Sequence, residues 1–370
     1  MRVPYNYLPK QFENPEPFIK DWRGLIKSSD FTLGRYVEKF ENEFAKYIGA
    51  KFCIATNNGT DALILSLKAL NIGVGDEVIT VCNSFYATTG AIVAVGALPV
   101  FVDCDERYQI DITKIERAIT ANTKAILPVH WFGASPDMHA LMKIAKKYSL
   151  RVIEDACMGI GGKFNDIAPG NFGDCGAYSM HPLKSLNVMG DGGMVTTNSS
   201  RLYTWMRKYR NHGMIDRDNI EFWGVNMRIQ PFQAIVASRC IKQLDKIINK
   251  RNKNAKLLDK LLYELKLDEK IKIPPRNAHN IETQALYVCQ FDKRDDLLTH
   301  LLNNDIEAKI HYPKPLHLQN ASKLYGYKRG DFPVAEQQAL KILTLPIHQF
   351  LNEKQIKYMA NKINEFYSFK

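Results

Sequence analysis

The run Lys51-Phe-Cys-Ile-Ala-Thr56, the polar turn Asn57-Asn-Gly-Thr-Asp61 and the pattern Ala62-Leu-Ile-Leu-Ser-Leu-Lys-Ala-Leu70 read as one strand, one glycine-bearing turn and one helix. A short apolar run bounded by turn residues suits a buried strand, and a longer periodic one behind a polar cap suits a helix. The same alternation continues downstream. A strand at 77–81 precedes a helix over 86–95, and a strand at 98–102 precedes a helix near 112–119. A strand at 125–129 precedes a helix over 135–148, and a strand at 151–154 follows. Strands alternating with helices predict βα units around a mostly parallel sheet.

Beyond residue 193 the pattern changes. A strand at 194–197 is followed by a helical stretch from 230 to about 265, with Pro231 acceptable in its first turn. A strand at 287–291, a helix over 294–304, a loop at 311–317 and a final helix after Asn352 complete the chain. At 370 residues the chain exceeds the size at which one core stops growing, so two lobes are expected. The shift near Leu244 divides them into a large α/β lobe, 1–244, and a smaller C-terminal α+β lobe, 245–370.

Composition narrows the function classes. The seven cysteines, Cys53, Cys82, Cys104, Cys157, Cys175, Cys240 and Cys289, are odd in number, scattered and without a CxxC pair. That argues against a disulfide scaffold or a zinc or iron–sulfur site, so no metal is expected. The start Met1-Arg-Val-Pro-Tyr-Asn-Tyr7 has no apolar signal core, and the longest apolar run, 91–102, is too short and glycine-interrupted to span a bilayer. A soluble cytoplasmic protein that binds neither membrane nor nucleic acid is expected. The net charge of +11 comes from lysines interleaved with acids, as over 242–260, and suits a phosphate-bearing cofactor and an anionic substrate.

Two residues stand where such a sheet does chemistry. Asp155 ends the strand Val152-Ile-Glu-Asp155, and ligands of open α/β sheets lie beyond the carboxyl ends of strands. Lys184 closes Ser179-Met-His-Pro-Leu-Lys184 ahead of the turn Gly190-Asp-Gly-Gly193, in a loop between two strands. A lysine amine condenses with an aldehyde to form a Schiff base. A carboxylate keeps a pyridine nitrogen protonated, so that the ring draws electrons from a substrate carbon. Together the two residues predict pyridoxal phosphate chemistry, each charge lowering the cost of burying the other. The turn before Ala62 offers free helix-end amides to a phosphate, and Phe85, at the head of the next helix, is a candidate to stack on the ring. His181, His212, His311 and His317 carry no assignment singly.

With these residues in hand the chain resembles the DegT/DnrJ/EryC1/StrS family of pyridoxal phosphate-dependent sugar aminotransferases. The resemblance runs through Phe31-Thr-Leu-Gly34, Asn58-Gly-Thr-Asp-Ala-Leu63, Gly75-Asp-Glu-Val-Ile79, Pro99-Val-Phe-Val-Asp103 and Glu154-Asp-Ala156. It continues through 179–193, Arg210-Asn-His-Gly213, Asn226-Met-Arg228, Gln233-Ala234, Ile310-His-Tyr-Pro-Lys-Pro-Leu-His317 and Gly330-Asp-Phe-Pro-Val-Ala-Glu336. It implies a fold-type I transferase working as a homodimer with shared active sites. By position, Lys184 is the Schiff-base lysine and Asp155 the pyridine-nitrogen partner, Gly59, Thr60 and Ser179 bind the phosphate, and Phe85 stacks on the ring. Asn226 reaches the phosphate from the neighbouring subunit, and Arg228, His311 and His317 are candidates for substrate binding, Arg228 for the donor's carboxylate.

The resemblance further implies glutamate as amino donor and a keto or aldehydo sugar as acceptor, for surface polysaccharide such as lipopolysaccharide. Two alternatives share the fold: a pyridoxamine phosphate-dependent sugar dehydratase, which carries His where this chain has Lys184, and a noncatalytic regulator. The chain also departs from the family pattern. Met158 and Ile160 stand where members commonly carry Gln and His, and His130-Trp-Phe-Gly-Ala-Ser135 lacks the frequent Gly-Gln-Pro. These departures direct attention to the family branch that aminates carbon 8 of an oxidised 3-deoxy-octulosonate.

Overall fold

The computed structural model describes residues 1–277 and 280–368. Among them the first strands are β1 (Phe52–Thr56), β2 (Glu77–Val81), β3 (Leu98–Val102), β4 (Thr123–Leu127) and β5 (Arg151–Asp155). A two-residue strand, β6 (Lys163–Phe164), precedes β7 (Cys175–Ser179) and β8 (Gly193–Thr197). All but β6 join one seven-stranded sheet in the order β1-β8-β7-β5-β4-β2-β3. Only β8 runs against the rest, pairing antiparallel with both β1 and β7. The β7–β8 connection contains no helix, and antiparallel neighbours need no crossover. That connection carries Lys184.

Alternation along each strand builds a core on both faces of the sheet. Ile79, Val81, Ile126 and Val152 pack with Met138, Leu141 and Ala145 of the helix Met138–Lys147. Val78, Leu127, Ile153 and Val195 pack on the other face with Leu63, Leu67 and Ile92 from the helices Gly59–Ala69 and Tyr86–Ala94. The result is a helix–sheet–helix sandwich.

The last third forms a second core around the antiparallel strands β9 (Ile271–Lys272), β11 (Tyr287–Phe291) and β12 (Ile342–Leu345). The helices Leu244–Glu264, Arg294–Asn303 and Glu353–Ser368 bring Leu258, Leu297, Leu301, Met359 and Ile363 to it. The two-residue strand β10 (Asn280–Ile281) crosses back to pair with β6. Val3, from the other end of the chain, is buried in this second core, and its amide donates to the Asp305 carbonyl at 2.8 Å.

Local departures from the sequence reading have plain causes. The helix expected near 112–119 is two 3₁₀ turns, Ile112–Lys114 and Glu116–Ala118. Its apolar residues Ile112, Ile115 and Ala118 recur every third position, which is the 3₁₀ period. The helix expected from 135 begins at Met138 because Asp137 caps it, accepting from the Ala140 amide at 3.0 Å. The strand expected to reach 129 stops at Leu127, ahead of Pro128, which has no N–H to donate.

Candidate active site

A cleft of about 550 Å³ opens beyond the carboxyl end of β5, walled by Asp155, Lys184, Phe85, Ser179, His311 and Tyr312 among others. Asp155 is the last residue of β5 and only 5% exposed. Its two oxygens are held from two sides: Oδ2 accepts from the Thr88 hydroxyl at 2.7 Å, and Oδ1 accepts from the Cys157 amide at 3.2 Å. The preceding residue points the other way, as strand alternation requires. Glu154 is fully buried and accepts from the amides of Gly170, Phe172 and Gly173, while His130 Nε2 lies 2.9 Å from it. Glu154 therefore braces the loop behind the sheet, and Asp155 faces the cleft.

Lys184 sits in the β7–β8 connection, half-buried. Burial pushes its amine below the ordinary lysine range, while Cys157 and Asp155 beside it pull the other way. Its backbone is fixed on both sides. Its amide donates to the His181 carbonyl at 2.8 Å, and its carbonyl accepts from Tyr7 Oη at 3.0 Å and Asn187 Nδ2 at 3.3 Å. A desolvated amine on a pinned loop is a poised nucleophile.

The helix Gly59–Ala69 points its N-terminus into the same cleft. Asn58 caps it, accepting from the Asp61 amide at 2.8 Å, and the Asn58 carbonyl accepts from the Ala62 amide. The amides of Gly59 and Thr60 are the first-turn donors left over. A Cβ at Gly59 would stand 2.8 Å from Ser179 Cβ and 3.0 Å from Cys157 Sγ, so only glycine lets the helix start approach β7 this closely. Free amides at a helix end, a neighbouring hydroxyl, a buried carboxylate and a desolvated amine fit a phosphorylated pyridine aldehyde.

The remaining expected residues fall in three groups. Phe85 is 43% exposed on the cleft wall, its ring 4.7 Å from Tyr86 and 6.1 Å from Tyr312, which leaves a face open. His311 also lines the cleft; its Nδ1 lies 2.9 Å from Thr344 Oγ1, and burial, with Lys309 and Lys184 nearby, pushes its pKa down to about 4. Asn226 and Arg228 do not line the cleft of their own chain. Asn226 is exposed, and Arg228 donates to Asn211 Oδ1 at 2.7 Å.

His317, expected as a substrate contact, lies elsewhere. It is 1% exposed, its Nε2 is 3.0 Å from Glu336 Oε1, and its ring packs edge-on against Phe332. Its place in the motif put it beside the cleft, but the short 3₁₀ turn Leu316–Leu318 carries it into the core. Sequence reasoning missed Thr88, Ser84 and Cys157. Two hydroxyls spaced i, i+4 at the head of a helix were the available signal for the first pair.

A model of the DegT/DnrJ/EryC1/StrS aminotransferase family matches residues 14–364. The chain is 39% identical over 369 residues to the pleiotropic regulatory protein of Geobacillus stearothermophilus, with 99% of both chains covered. It is 38% identical over 341 residues to the UDP-N-acetyl-3-dehydro-alpha-D-glucosamine 3-aminotransferase of Acidithiobacillus ferrooxidans, covering 92% of this chain and 90% of that one. Its structure matches that of Bacillus subtilis NtdA with bound cofactor PMP at a TM-score of 0.91 and 30% identity, covering 99% of this chain and 85% of that one.

Proposed function

Because the chain belongs to the DegT/DnrJ/EryC1/StrS aminotransferase family, and is a pyridoxal phosphate-dependent sugar aminotransferase, we propose that it moves an amino group from glutamate to the 3-oxo carbon of a nucleotide-linked sugar. The observation that carries the chemistry is the desolvated Lys184 amine beside Asp155 on the wall of one cleft. The acceptor rests on the Acidithiobacillus relative, whose name specifies a UDP-linked 3-dehydro sugar. That acceptor is favoured over the octulosonate suggested by Met158 and Ile160. Retention of Lys184 and Asp155 favours catalysis over a purely regulatory role, although the Geobacillus relative is named as a regulator.

In this reading the chain's residues take the following roles. Gly59 and Thr60 amides with the Ser179 hydroxyl hold the cofactor phosphate, Phe85 stacks on the ring, and Asp155 keeps the ring nitrogen protonated. When bound, pyridoxal phosphate supplies an aldehyde for amines and a ring that accepts electrons. Lys184 holds that aldehyde between turnovers. Its Nζ, biased toward the neutral form by burial, takes the proton from the amine-bearing carbon of the donor and returns one to the acceptor. His311, neutral above about pH 4, is the cleft's candidate hydrogen-bonding group for the sugar.

Asn226 and Arg228 complete the site of a second copy in a homodimer, Asn226 at the phosphate and Arg228 at the donor carboxylate. Their position outside their own cleft, in the segment 211–228 that also exposes Ile215, Ile220 and Trp223, supports this. The division into lobes at 1–244 and 245–370 belongs to the same reading, with Val3 joining the second lobe. The test is a screen of the purified holoenzyme with glutamate and a panel of oxo sugars. Amination of a nucleotide-linked 3-oxo sugar supports the reading; amination of free octulosonate alone, or turnover without glutamate, defeats it.

A further inference from the structure

Thr88 has no part in the roles above, yet its side chain is fully buried and touches Asp155. Building on Asp155 as the ring-nitrogen partner, we infer that the Ser84–Thr88 hydroxyl pair is a positioning relay that fixes the ionised Asp155 carboxylate and so sets the basicity of the cofactor's ring nitrogen. Ser84 Oγ lies 2.6 Å from Thr88 Oγ1, and Thr88 Oγ1 lies 2.7 Å from Asp155 Oδ2. An ionised carboxylate only accepts, so the single Thr88 proton points at Asp155. Thr88 must then accept from Ser84. Both bonds run in one direction, and a chain of that kind polarises toward its charged end.

Burial raises the stakes, with Ser84 at 3%, Thr88 at 0% and Asp155 at 5% exposure. Among the described residues Thr88 is the donor to Oδ2, and the Cys157 amide serves Oδ1. The carboxylate is therefore gripped by a helix on one side and by its own turn on the other. Bonds to the charged form favour that form. Without the Thr88 hydroxyl, Oδ2 would lose the side-chain donor that orients and stabilises the charged carboxylate, and Asp155 would support a bound ring nitrogen's positive charge less well. Titratable groups that feel the Asp155 charge include Cys157 from its own turn and Lys184 from the β7–β8 connection, and His181, Asp191, His311 and Tyr312 line the same cleft. The relay also begins next to Phe85, so one short segment supplies both the ring-stacking group and the support for the ring-nitrogen partner.

The test uses the holoenzyme and its Thr88→Val, Thr88→Ser, Ser84→Ala and Asp155→Asn variants. Two quantities are read: the affinity of the stripped protein for pyridoxal phosphate, and the pH midpoint of the bound cofactor's visible absorbance. Loss of one charge-assisted hydrogen bond should weaken affinity by about tenfold to a hundredfold in Thr88→Val and move the midpoint. Thr88→Ser should return both toward wild type, and Ser84→Ala should shift both in the same direction by less. In an Asp155→Asn background, Thr88→Val should add nothing further. Wild-type values in both Thr88→Val and Ser84→Ala, alongside an impaired Asp155→Asn, overturn the relay. So does a full Thr88→Val effect in the Asp155→Asn background, which marks a packing role. An unimpaired Asp155→Asn overturns the assignment of Asp155 itself, and the relay with it.

Discussion

Replacing Gly59 with alanine tests the phosphate cradle through a single methyl group. The Gly59 backbone is not in the left-handed region, so alanine is conformationally acceptable and the effect is one of space alone. The new Cβ would meet Ser179 Cβ at 2.8 Å, Cys157 Sγ at 3.0 Å and Ser179 Cα at 3.3 Å. Carbon contacts are comfortable from ~3.5 Å, so the helix start must retreat by about 0.7 Å. The wall cannot yield instead, because Ser179 is locked into β7 in register with Gly193 of β8. Overpacking of this order destabilises by ~1–3 kcal/mol, which should lower the thermal midpoint of the cofactor-free protein.

The larger effect falls on the cofactor. Displacing the Gly59 and Thr60 amides by about 0.7 Å stretches a ~2.9 Å bond to ~3.6 Å, beyond useful hydrogen-bond range. Loss of one such bond to a charged group is worth ~1.5–3 kcal/mol, or roughly ten- to a hundredfold in pyridoxal phosphate affinity. Titration of the stripped protein with the cofactor, followed by absorbance, measures this directly. Cys157→Ala in the same chain removes the 3.0 Å contact and should recover part of the loss. An unchanged affinity in Gly59→Ala refutes the cradle.

Lys184→Ala should abolish turnover with glutamate and the absorbance of lysine-linked cofactor; a variant that retains either would remove Lys184 from the chemistry. Asp155→Ala should lower the rate by ~10²-fold or more, measured at saturating cofactor, by analogy with lost acid–base groups. A mixture of Lys184→Ala and Asn226→Asp proteins, each inactive alone, should regain roughly a quarter of wild-type activity after subunit exchange, since half the dimers carry one intact site of two; no recovery argues against Asn226 serving its neighbour. Acid should weaken the fold between about pH 6.5 and 4. His311 and His348 are each pushed down to about 4 by burial, so across that window the unfolded chain takes up protons that the folded chain refuses. The thermal midpoint should fall as pH falls, and His348→Asn should flatten the slope; an unchanged slope would show that other groups control the acid limb.

The sheet was legible where single strands carry their own signal. The runs at 77–81, 98–102 and 287–291 are strands at those bounds, because each is a short, mostly apolar run rich in β-branched or aromatic residues. Lys184 and Asp155 were legible because their surroundings in sequence, a glycine turn and an apolar strand, already describe where they sit. Thr88 was not, since its partner lies 67 positions away, and the i, i+4 spacing from Ser84 marks a hydroxyl pair without telling a buried donor from a helix surface. The resemblance implied that Asn226 serves a neighbour, whereas the contrast between Arg228, outside its own cleft, and His311, inside it, was equally hidden. Motif positions give order along the chain, whereas cleft membership depends on how the loop 211–228 is carried past β1. His317 shows the same limit in reverse, six positions from His311 yet turned into the core.

The attachment of Val3 and Tyr7 gives the chain a particular history during synthesis. Tyr7, which supports the carbonyl of Lys184, leaves the ribosome long before the loop it steadies. Val3 has nothing to pair with until residues 305–307 are made. The central sheet can assemble when residue 197 has emerged, with His181 and Asn187 already bonded to Lys184, but Tyr7 lacks its packing partners His348 and Phe350 while the second core is still being translated. Contacts spanning three hundred residues are slow to close. A nascent chain therefore holds its cofactor amine on a loop whose Tyr7 brace is anchored only when the 348–350 segment arrives, and an N-terminal fusion that hinders that docking acts on the active site from a distance.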